Sequence, residues 1–156
     1  MPLVLDLLRH GHADPPREGG DAARTLSPEG RRMVGELGVR LNRAGWQPDR
    51  VFASPLRRAQ QSAEIVLAVL KMVPTIETLA SLAPDREPDE VVRALEAKGI
   101  RFGTVLLVGH QPLLGRLVAH LVGHEHAFAT GELVRVACES PLTRRSASID
   151  PFPSAF

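Results

Sequence analysis

Several residue types are scarce in this chain of 156 residues, and each scarcity excludes a class of protein. Cys138 is the only cysteine, which excludes an intrachain disulfide and a cluster of thiolate metal ligands. This usage fits a reducing compartment. The net charge is only +1, so no strong field favours nucleic acid or an anionic membrane as a partner.

Long apolar runs and targeting signals are also missing. No apolar run approaches the roughly 18 residues of a transmembrane helix, and the first residues lack the basic and apolar regions of a signal peptide. These absences predict a cytoplasmic protein that works away from membranes. With 44% hydrophobic residues the chain can bury one full core, so we expect one domain over residues 1–139. Residues 140–156 form a tail, packed or loose, and the oligomeric state is expected to be monomer or weak dimer.

Strand-like and helix-like segments alternate along the chain, which predicts an α/β fold with a mainly parallel sheet. Ser27-Pro28 and Ser54-Pro55 each have the composition of a helix start, a capping side chain followed by proline. Asp6 lies inside an apolar strand, and the sequence offers no reason for it. The predicted strands are 3–8, 49–53, 74–77, 104–108 and 133–137, and the predicted helices are 27–44, 54–70, 89–98 and 112–123.

Reactive side chains follow three of these strands, where each strand gives way to a loop or helix. Parallel strands place such junctions at one edge of the sheet, where α/β proteins bind ligands. Histidines and arginines would then meet in one pocket, with helix N-termini adding positive potential. Like charges gather only when an anion compensates them, so the pocket is built for a dianion, with phosphate as the leading candidate. The junctions are Arg9-His10-Gly11, Ser54-Pro55-Leu56-Arg57-Arg58-Ala59 and Gly109-His110.

Each junction also has a simpler interpretation. An arginine in the first turn of a helix is more often solvated than bound to a ligand. A histidine after a buried strand is more often a hydrogen-bonded structural residue than a catalyst. However, the anion pocket is ruled out only if the simpler interpretation holds at all three junctions together, which is a stronger requirement than at any one of them.

Four segments together resemble the signature of the histidine phosphatase superfamily. In order and spacing they are most similar to the short SixA-type phosphohistidine phosphatases, over about residues 3–137. The resemblance implies a three-layer, phosphoglycerate mutase-like α/β/α fold without a large lid insertion. The segments are Arg9-His10-Gly11, Arg24-Thr25-Leu26-Ser27-Pro28-Glu29-Gly30, Ser54 to Ala59, and Val108-Gly109-His110-Gln111-Pro112.

The resemblance also implies a role for each matching residue. His10 matches the nucleophile that becomes phosphorylated, and Arg9 and His110 match its catalytic partners. Arg58, rather than Arg57, matches the second catalytic arginine, and Arg24 matches a loop arginine that reaches the phosphate. Phosphate binding is then expected from Arg9, Gly11, Arg24, Arg58 and His110. Because arginines neutralise the phosphate, neither a metal nor another cofactor is expected.

The general acid is the point at which the resemblance fails. Larger members that cleave phosphate esters carry a glutamate after the third strand, and no glutamate stands at the matching place in residues 79–85. The candidate acids are Asp85, Glu87 and Asp14, although each is more readily interpreted as a solvated loop carboxylate. An alkoxide leaving group needs a strong acid catalyst, whereas the imidazole of a phosphohistidine leaves more readily.

Three functions therefore stay open. The leading interpretation is a metal-independent phosphatase that removes phosphate from protein phosphohistidine through a phosphohistidine enzyme intermediate. A small-molecule phosphomonoesterase, such as an α-ribazole- or sugar-phosphate phosphatase, is the closest alternative, and a non-catalytic phosphoprotein-binding module is the third. A zinc site at His120, His124 and His126 is disfavoured, because Gly123 is expected to end the helix before the last two.

Overall fold

Strands and helices alternate in the computed structural model, which describes residues 2–71, 74–139 and 142–152. Within these residues there are six strands and four α-helices. The strands are β1 (Leu3–Arg9), β2 (Arg50–Ala53), β3 (Ile76–Thr78), β4 (Gly103–Gly109), β5 (Leu133–Cys138) and β6 (Ser148–Asp150). The helices are α1 (Pro28–Arg43), α2 (Arg57–Leu70), α3 (Pro88–Ala97) and α4 (Leu113–Val122).

One sheet contains all six strands in the order β3-β2-β4-β1-β5-β6. The first four are mutually parallel, while β5 and β6 are antiparallel to their neighbours. The predicted mainly parallel sheet is confirmed. In the register of β1 and β4, Arg9 lies beside Gly109, so the next residue of each strand, His10 and His110, starts its loop at the same level.

Hydrophobic side chains fill both faces of the sheet. Leu5 and Leu7 of β1 belong to a core that is completed by α3 and α4. Leu8, by contrast, belongs to a second core completed by α1 and α2. Because successive strand residues point to opposite faces, continuous apolar strands supply both cores, and the three-layer α/β/α architecture is confirmed.

The predicted roles of Ser27 and Gly123 at helix ends are confirmed, whereas the predicted helix start at Ser54 is wrong. Ser27 caps α1, since its Oγ accepts from Gly30 N–H at 3.0 Å. Gly123 ends α4 in the left-handed region, at a φ of 106°. Ser54 does not cap α2, which begins at Arg57. Its Oγ accepts from Leu56 N–H at 3.2 Å and thereby closes a turn ahead of the helix.

Asp6, which the sequence left unexplained, is fully buried in β1 and ion-paired. Arg135 on β5 donates to its two oxygens from Nε at 2.8 Å and Nη2 at 2.9 Å. Trp46 Nε1 adds a third bond at 2.7 Å. The charge is therefore compensated by residues far away in sequence, as a buried carboxylate requires.

Part of the predicted tail packs on the sheet. Ser148–Asp150 pair with β5, and Leu142 is buried in the core beside α3 and α4. The predicted domain boundary, between residues 139 and 140, adjoins residues 140–141, which lie outside the described part of the chain, as do 153–156.

Candidate active site at the carboxyl edge of the sheet

The structure brings the predicted histidines and arginines together at one edge of the sheet. The imidazole rings of His10 and His110 lie 5.0 Å apart between centroids. Arg58 reaches the same place from α2, with its Nε 3.4 Å from His10 Nε2. All three side chains are buried.

His10 is held in one orientation by its own backbone neighbour. Its Nδ1 lies 2.7 Å from the Gly11 carbonyl oxygen, which can only accept, so Nδ1 carries the proton. The lone pair of Nε2 is then directed toward Arg58. Burial, together with the charges of Arg58 and Arg9, lowers the pKa of His10 to about 4. The imidazole is therefore neutral at pH 7, as a nitrogen nucleophile must be.

Gly11 is required by close packing beneath His10. A Cβ at this position would lie 2.8 Å from Val34 Cγ2 and 2.9 Å from the Gly30 carbonyl oxygen. The Gly11 N–H donates to Ser62 Oγ at 3.1 Å. The turn that carries His10 is thereby joined to α1 and α2.

His110 is also neutral, and within the described residues one of its nitrogens has no hydrogen-bond partner. Burial and the charge of a protonated His10 lower the pKa of His110 to about 3. Its Nε2 lies 2.7 Å from Ser54 Oγ, whose hydroxyl can donate to this nitrogen. In the tautomer that accepts this bond, the proton of His110 lies on Nδ1, a buried atom with no hydrogen-bond partner in the described structure. A neutral imidazole with a proton on Nδ1 is an available donor for an anion.

The neighbouring arginines at the start of α2 point in different directions. Arg57 pairs with Glu64 on the helix surface, at 3.0 Å from Nη1 to Oε1. Arg58 is buried, and its Nη1 donates to the Asp21 carbonyl oxygen at 2.8 Å. The structure thus places Arg58, and not Arg57, beside His10.

Arg9 is anchored by the loop before β5. Its Nη1 donates to the Phe128 carbonyl oxygen at 2.7 Å, and its main-chain N–H donates to the Glu132 carbonyl at 3.1 Å. Its Nε is buried without a hydrogen-bond partner in the described structure. An orphaned charged donor of this kind is costly unless a ligand satisfies it.

Arg24 approaches from the loop between β1 and α1. Its Nε donates to the Asp14 carbonyl oxygen at 2.9 Å, and its Nη1 donates to Asp21 Oδ1 at 3.2 Å. Asp21 also accepts from Arg58 Nη2, at 3.2 Å to Oδ2. Hydrogen bonding from Arg24, together with the charge of Arg58, holds the pKa of Asp21 below its usual value.

Among the described contacts, none of the three candidate acids is hydrogen-bonded to His10 or His110. The Asp85 side chain is 88% exposed and lies near Arg86. Glu87 lines a separate cleft beside the start of α3, and Asp14 contributes only its main-chain carbonyl to the Arg24 network. After β3, where the resemblance implies a glutamate in larger members, Ser81 is buried in a short 3-10 helix, and its Oγ has no hydrogen-bond partner in the described structure.

The three histidines around the end of α4 do not share a site. His120 lies on the helix, while His126 follows it and bonds to Glu132 Oε2 at 2.8 Å. Among the described residues no group of three or more histidine, cysteine or acidic side chains has the spacing of a metal site.

Two residues in this network were missed as site residues from the sequence. Asp21 stands three residues before Arg24, a spacing that hints at an ion pair, but nothing local connects it to Arg58, 37 positions away. Ser54 was predicted to be a helix cap, and that role gave no reason to place its side chain in the site. Its bond to His110 spans 56 positions and depends on the adjacency of β2 and β4.

Together, the fold and this edge of the sheet define a class of protein. A family model of the histidine phosphatase superfamily (branch 1) matches residues 5–83. The chain belongs to this superfamily, and it is a histidine-nucleophile phosphatase.

The chain is similar in sequence or in structure to several named phosphatases. Phosphohistidine phosphatase SixA of Escherichia coli (strain K12) is 31% identical over 122 residues, which cover 76% of this chain and 74% of that protein. The structure is similar to that of the protein histidine phosphatase SixA complexed with tungstate, with a TM-score of 0.83 and 26% identity over 94% of each chain. The fold is also that of a putative alpha-ribazole-5'-P phosphatase from E. coli K-12, with a TM-score of 0.75 and 19% identity over 96% of this chain and 95% of that one. No described helix is long and apolar enough to cross a bilayer.

Proposed function

We propose that this phosphatase removes the phosphoryl group from phosphohistidine on a protein, with His10 as its nucleophile. The neutral Nε2 of His10 attacks phosphorus, the P–N bond of the substrate breaks, and the substrate imidazole leaves and takes a proton from solvent. Water then attacks the phosphorus on His10, which releases inorganic phosphate and restores the imidazole.

The arginines and His110 form the proposed clamp for the transferred group. Its equatorial oxygens carry the charge of the transition state, which forked guanidinium donors neutralise. Arg58 Nε lies at His10, while Arg9 Nε and His110 Nδ1 are buried donors without described partners. A phosphoryl group on His10 would satisfy such donors, and Arg24 extends the clamp from its loop.

The absence of a carboxyl at the two histidines is the observation that carries the choice of substrate. Among the described residues, no acidic side chain is hydrogen-bonded to His10 or His110. Asp21, the carboxylate paired with the arginines beside His10, is deprotonated at neutral pH as an ordinary aspartate is, so it has no proton for a leaving group. Alkoxides depend strongly on such a proton and imidazole depends on it less, so the site suits a P–N bond better than a phosphate ester.

A small-molecule phosphomonoesterase is the second candidate. The likeness to the putative alpha-ribazole phosphatase supports it at the level of the fold. However, no large insertion covers the site in the described chain, and an open site sequesters a small metabolite poorly.

Competition between substrate classes tests the proposal. A histidine-containing phosphorelay domain, phosphorylated on histidine, is compared with a panel of phosphomonoesters by kcat/KM at neutral pH. We expect the phosphohistidine protein to be favoured by roughly 100-fold or more, a ratio that corresponds to about 2.7 kcal/mol of transition-state stabilisation. A monoester turned over faster would establish the second candidate instead.

The nucleophile is tested by the His10→Asn variant, because the amide of the introduced asparagine can still donate to the Gly11 carbonyl. Turnover and acid-labile labelling of the protein by substrate phosphate should both disappear. Retained labelling would mean that another residue is the nucleophile. Binding of the phosphoprotein by the wild-type chain without any turnover would support a binding module.

A further inference from the structure

Asp21 makes the most unusual contact in the site, because an acidic side chain occupies a surface that should bind an anion. Its two oxygens each lie 3.2 Å from an arginine nitrogen, Oδ1 from Arg24 Nη1 and Oδ2 from Arg58 Nη2. Its main-chain oxygen accepts from Arg58 Nη1 at 2.8 Å. Asp21 therefore holds Arg58 through both backbone and side chain.

The edge of the guanidinium that Asp21 occupies is informative. A guanidinium presents paired donors on two edges, the end edge with Nη1 and Nη2 and the side edge with Nε and Nη2. Asp21 binds the end edge of Arg58, whereas the side edge faces the nucleophile, with Nε 3.4 Å from His10 Nε2. We infer that Asp21 is a positioning residue that holds Arg58 by its end edge and turns the side edge toward the phosphoryl group on His10.

The loop before Asp21 is folded to present it in this way. Gly19 and Gly20 adopt φ values of 90° and 70°, in the region that favours glycine, and a 3-10 helix over Asp21–Ala23 follows. The Arg24 N–H donates to the Asp21 carbonyl oxygen and closes that turn. The two charged side chains thus emerge three residues apart on one side of the loop, and Arg24 is aligned by the same carboxylate.

The charge balance also fits a positioning role. The histidines are neutral, so Arg9, Arg24 and Arg58 supply three positive charges and Asp21 removes one. The remaining two match a phosphoryl dianion, while the carboxylate reduces the repulsion between Arg24 and Arg58. An alternative role makes the opposite prediction: a carboxylate that merely competes with phosphate should weaken its binding.

The test compares Asp21→Asn with Glu18→Gln. Asparagine keeps the shape of Asp21 but loses the charge and one acceptor oxygen. Glu18 lies on the same loop and is exposed, and it has no ion pair among the described contacts, so its variant removes the same charge without touching the clamp. The readouts are kcat and KM with the better of the two substrate classes above, the affinity for inorganic phosphate by calorimetry, and the thermal midpoint.

We expect Asp21→Asn to lower kcat roughly 10- to 100-fold, the scale of a misplaced catalytic group. Phosphate affinity should fall with it, while the thermal midpoint and the Glu18→Gln kinetics stay near those of the wild type. Tighter phosphate binding with unchanged or faster turnover would overturn the inference and show a competing carboxylate.

Two further variants separate positioning from a general structural role. In an Arg58→Ala background, Asp21→Asn should lower kcat by a smaller factor than in the wild-type background, because only its contact with Arg24 is left to lose. Asp21→Glu keeps the charge and should retain more activity than Asp21→Asn. The assignment would be contradicted if Asp21→Asn lowered kcat by the same factor in the Arg58→Ala background as in the wild type. It would also be contradicted if Asp21→Glu lost as much activity as Asp21→Asn.

The inference rests on the proposed roles of His10 and Arg58, and its outcome is distinguishable from theirs. The kcat of Asp21→Asn is compared with that of the wild type on whichever substrate class the enzyme prefers. A preference for monoesters would therefore remove the phosphohistidine proposal while leaving the role of Asp21 to be decided by these variants.

Discussion

Acidification should destabilise this protein through its buried histidines. Burial and neighbouring arginines lower the pKa of His10 from 6.5 to about 4 in the folded state, while the unfolded chain keeps the higher value. Between these two pH values the unfolded state binds more protons than the folded state. The free energy of unfolding must therefore fall as the pH drops through this range, and its full value is present only above about pH 6.5.

The size of the effect follows from the same two values. For a single group shifted from 6.5 to about 4, the free energy of unfolding should be about 2–3 kcal/mol lower at pH 4.5 than at pH 7.5. His110 has a pKa of about 3 and adds to this loss. The two contributions overlap, because part of the His110 shift comes from the charge of a protonated His10, so they are not summed.

Guanidinium unfolding, followed by the fluorescence of the single, buried Trp46, measures this loss. The matched control is His10→Asn, which removes one of the two imidazoles and keeps a donor for the Gly11 carbonyl. The free energy of unfolding of the wild type should fall by about 2–3 kcal/mol more than that of the variant between pH 7.5 and pH 4.5. Parallel losses in the two proteins would refute the assignment of a buried, neutral His10.

Three other outcomes are expected. Asp6→Asn should destabilise the fold by about 3–5 kcal/mol in chemical unfolding, because it leaves the Arg135 charge without its buried partner. The double variant Asp6→Leu with Arg135→Met removes both charges and should recover much of that loss. Gly30→Ala should lower the free energy of unfolding by roughly 3 kcal/mol or more, since a Cβ would overlap the His12 carbonyl oxygen. Gly35 lies on the same helix and has room for a Cβ, so Gly35→Ala should raise the free energy of unfolding by about 0.5–1 kcal/mol. Turnover should persist after treatment with EDTA, because arginines supply the neutralisation; loss that is restored by a divalent metal would contradict this.

Local patterns in the sequence were enough to predict most of the fold. Ser27 before Pro28 predicted the start of α1, and Gly123 predicted the end of α4, because caps act through backbone groups within one turn. The alternation of apolar strands with amphipathic helices predicted the parallel sheet. Ser54 had the same local pattern as Ser27 but a different role, since its Oγ lies at His110 instead of capping α2.

The candidate site was predictable to the extent that its residues end strands. His10 and His110 follow β1 and β4 directly, so a parallel pairing of those strands was sufficient to place them together. Asp21 had no such marker. It lies in a loop whose path over α2 depends on contacts 37 positions apart, and no local preference encodes such contacts.

The sequence by itself determined which chemical groups stand at the ends of the parallel strands, and through them the superfamily and the fold. Tertiary structure decided which of those groups are neutral, which are paired and which lack a partner. Asp6 meets Arg135 across 129 positions, and Asp21 turns Arg58 toward His10. The physical reason is that protonation and pairing depend on burial and on distances of a few ångströms, and only the order and register of the strands set those distances.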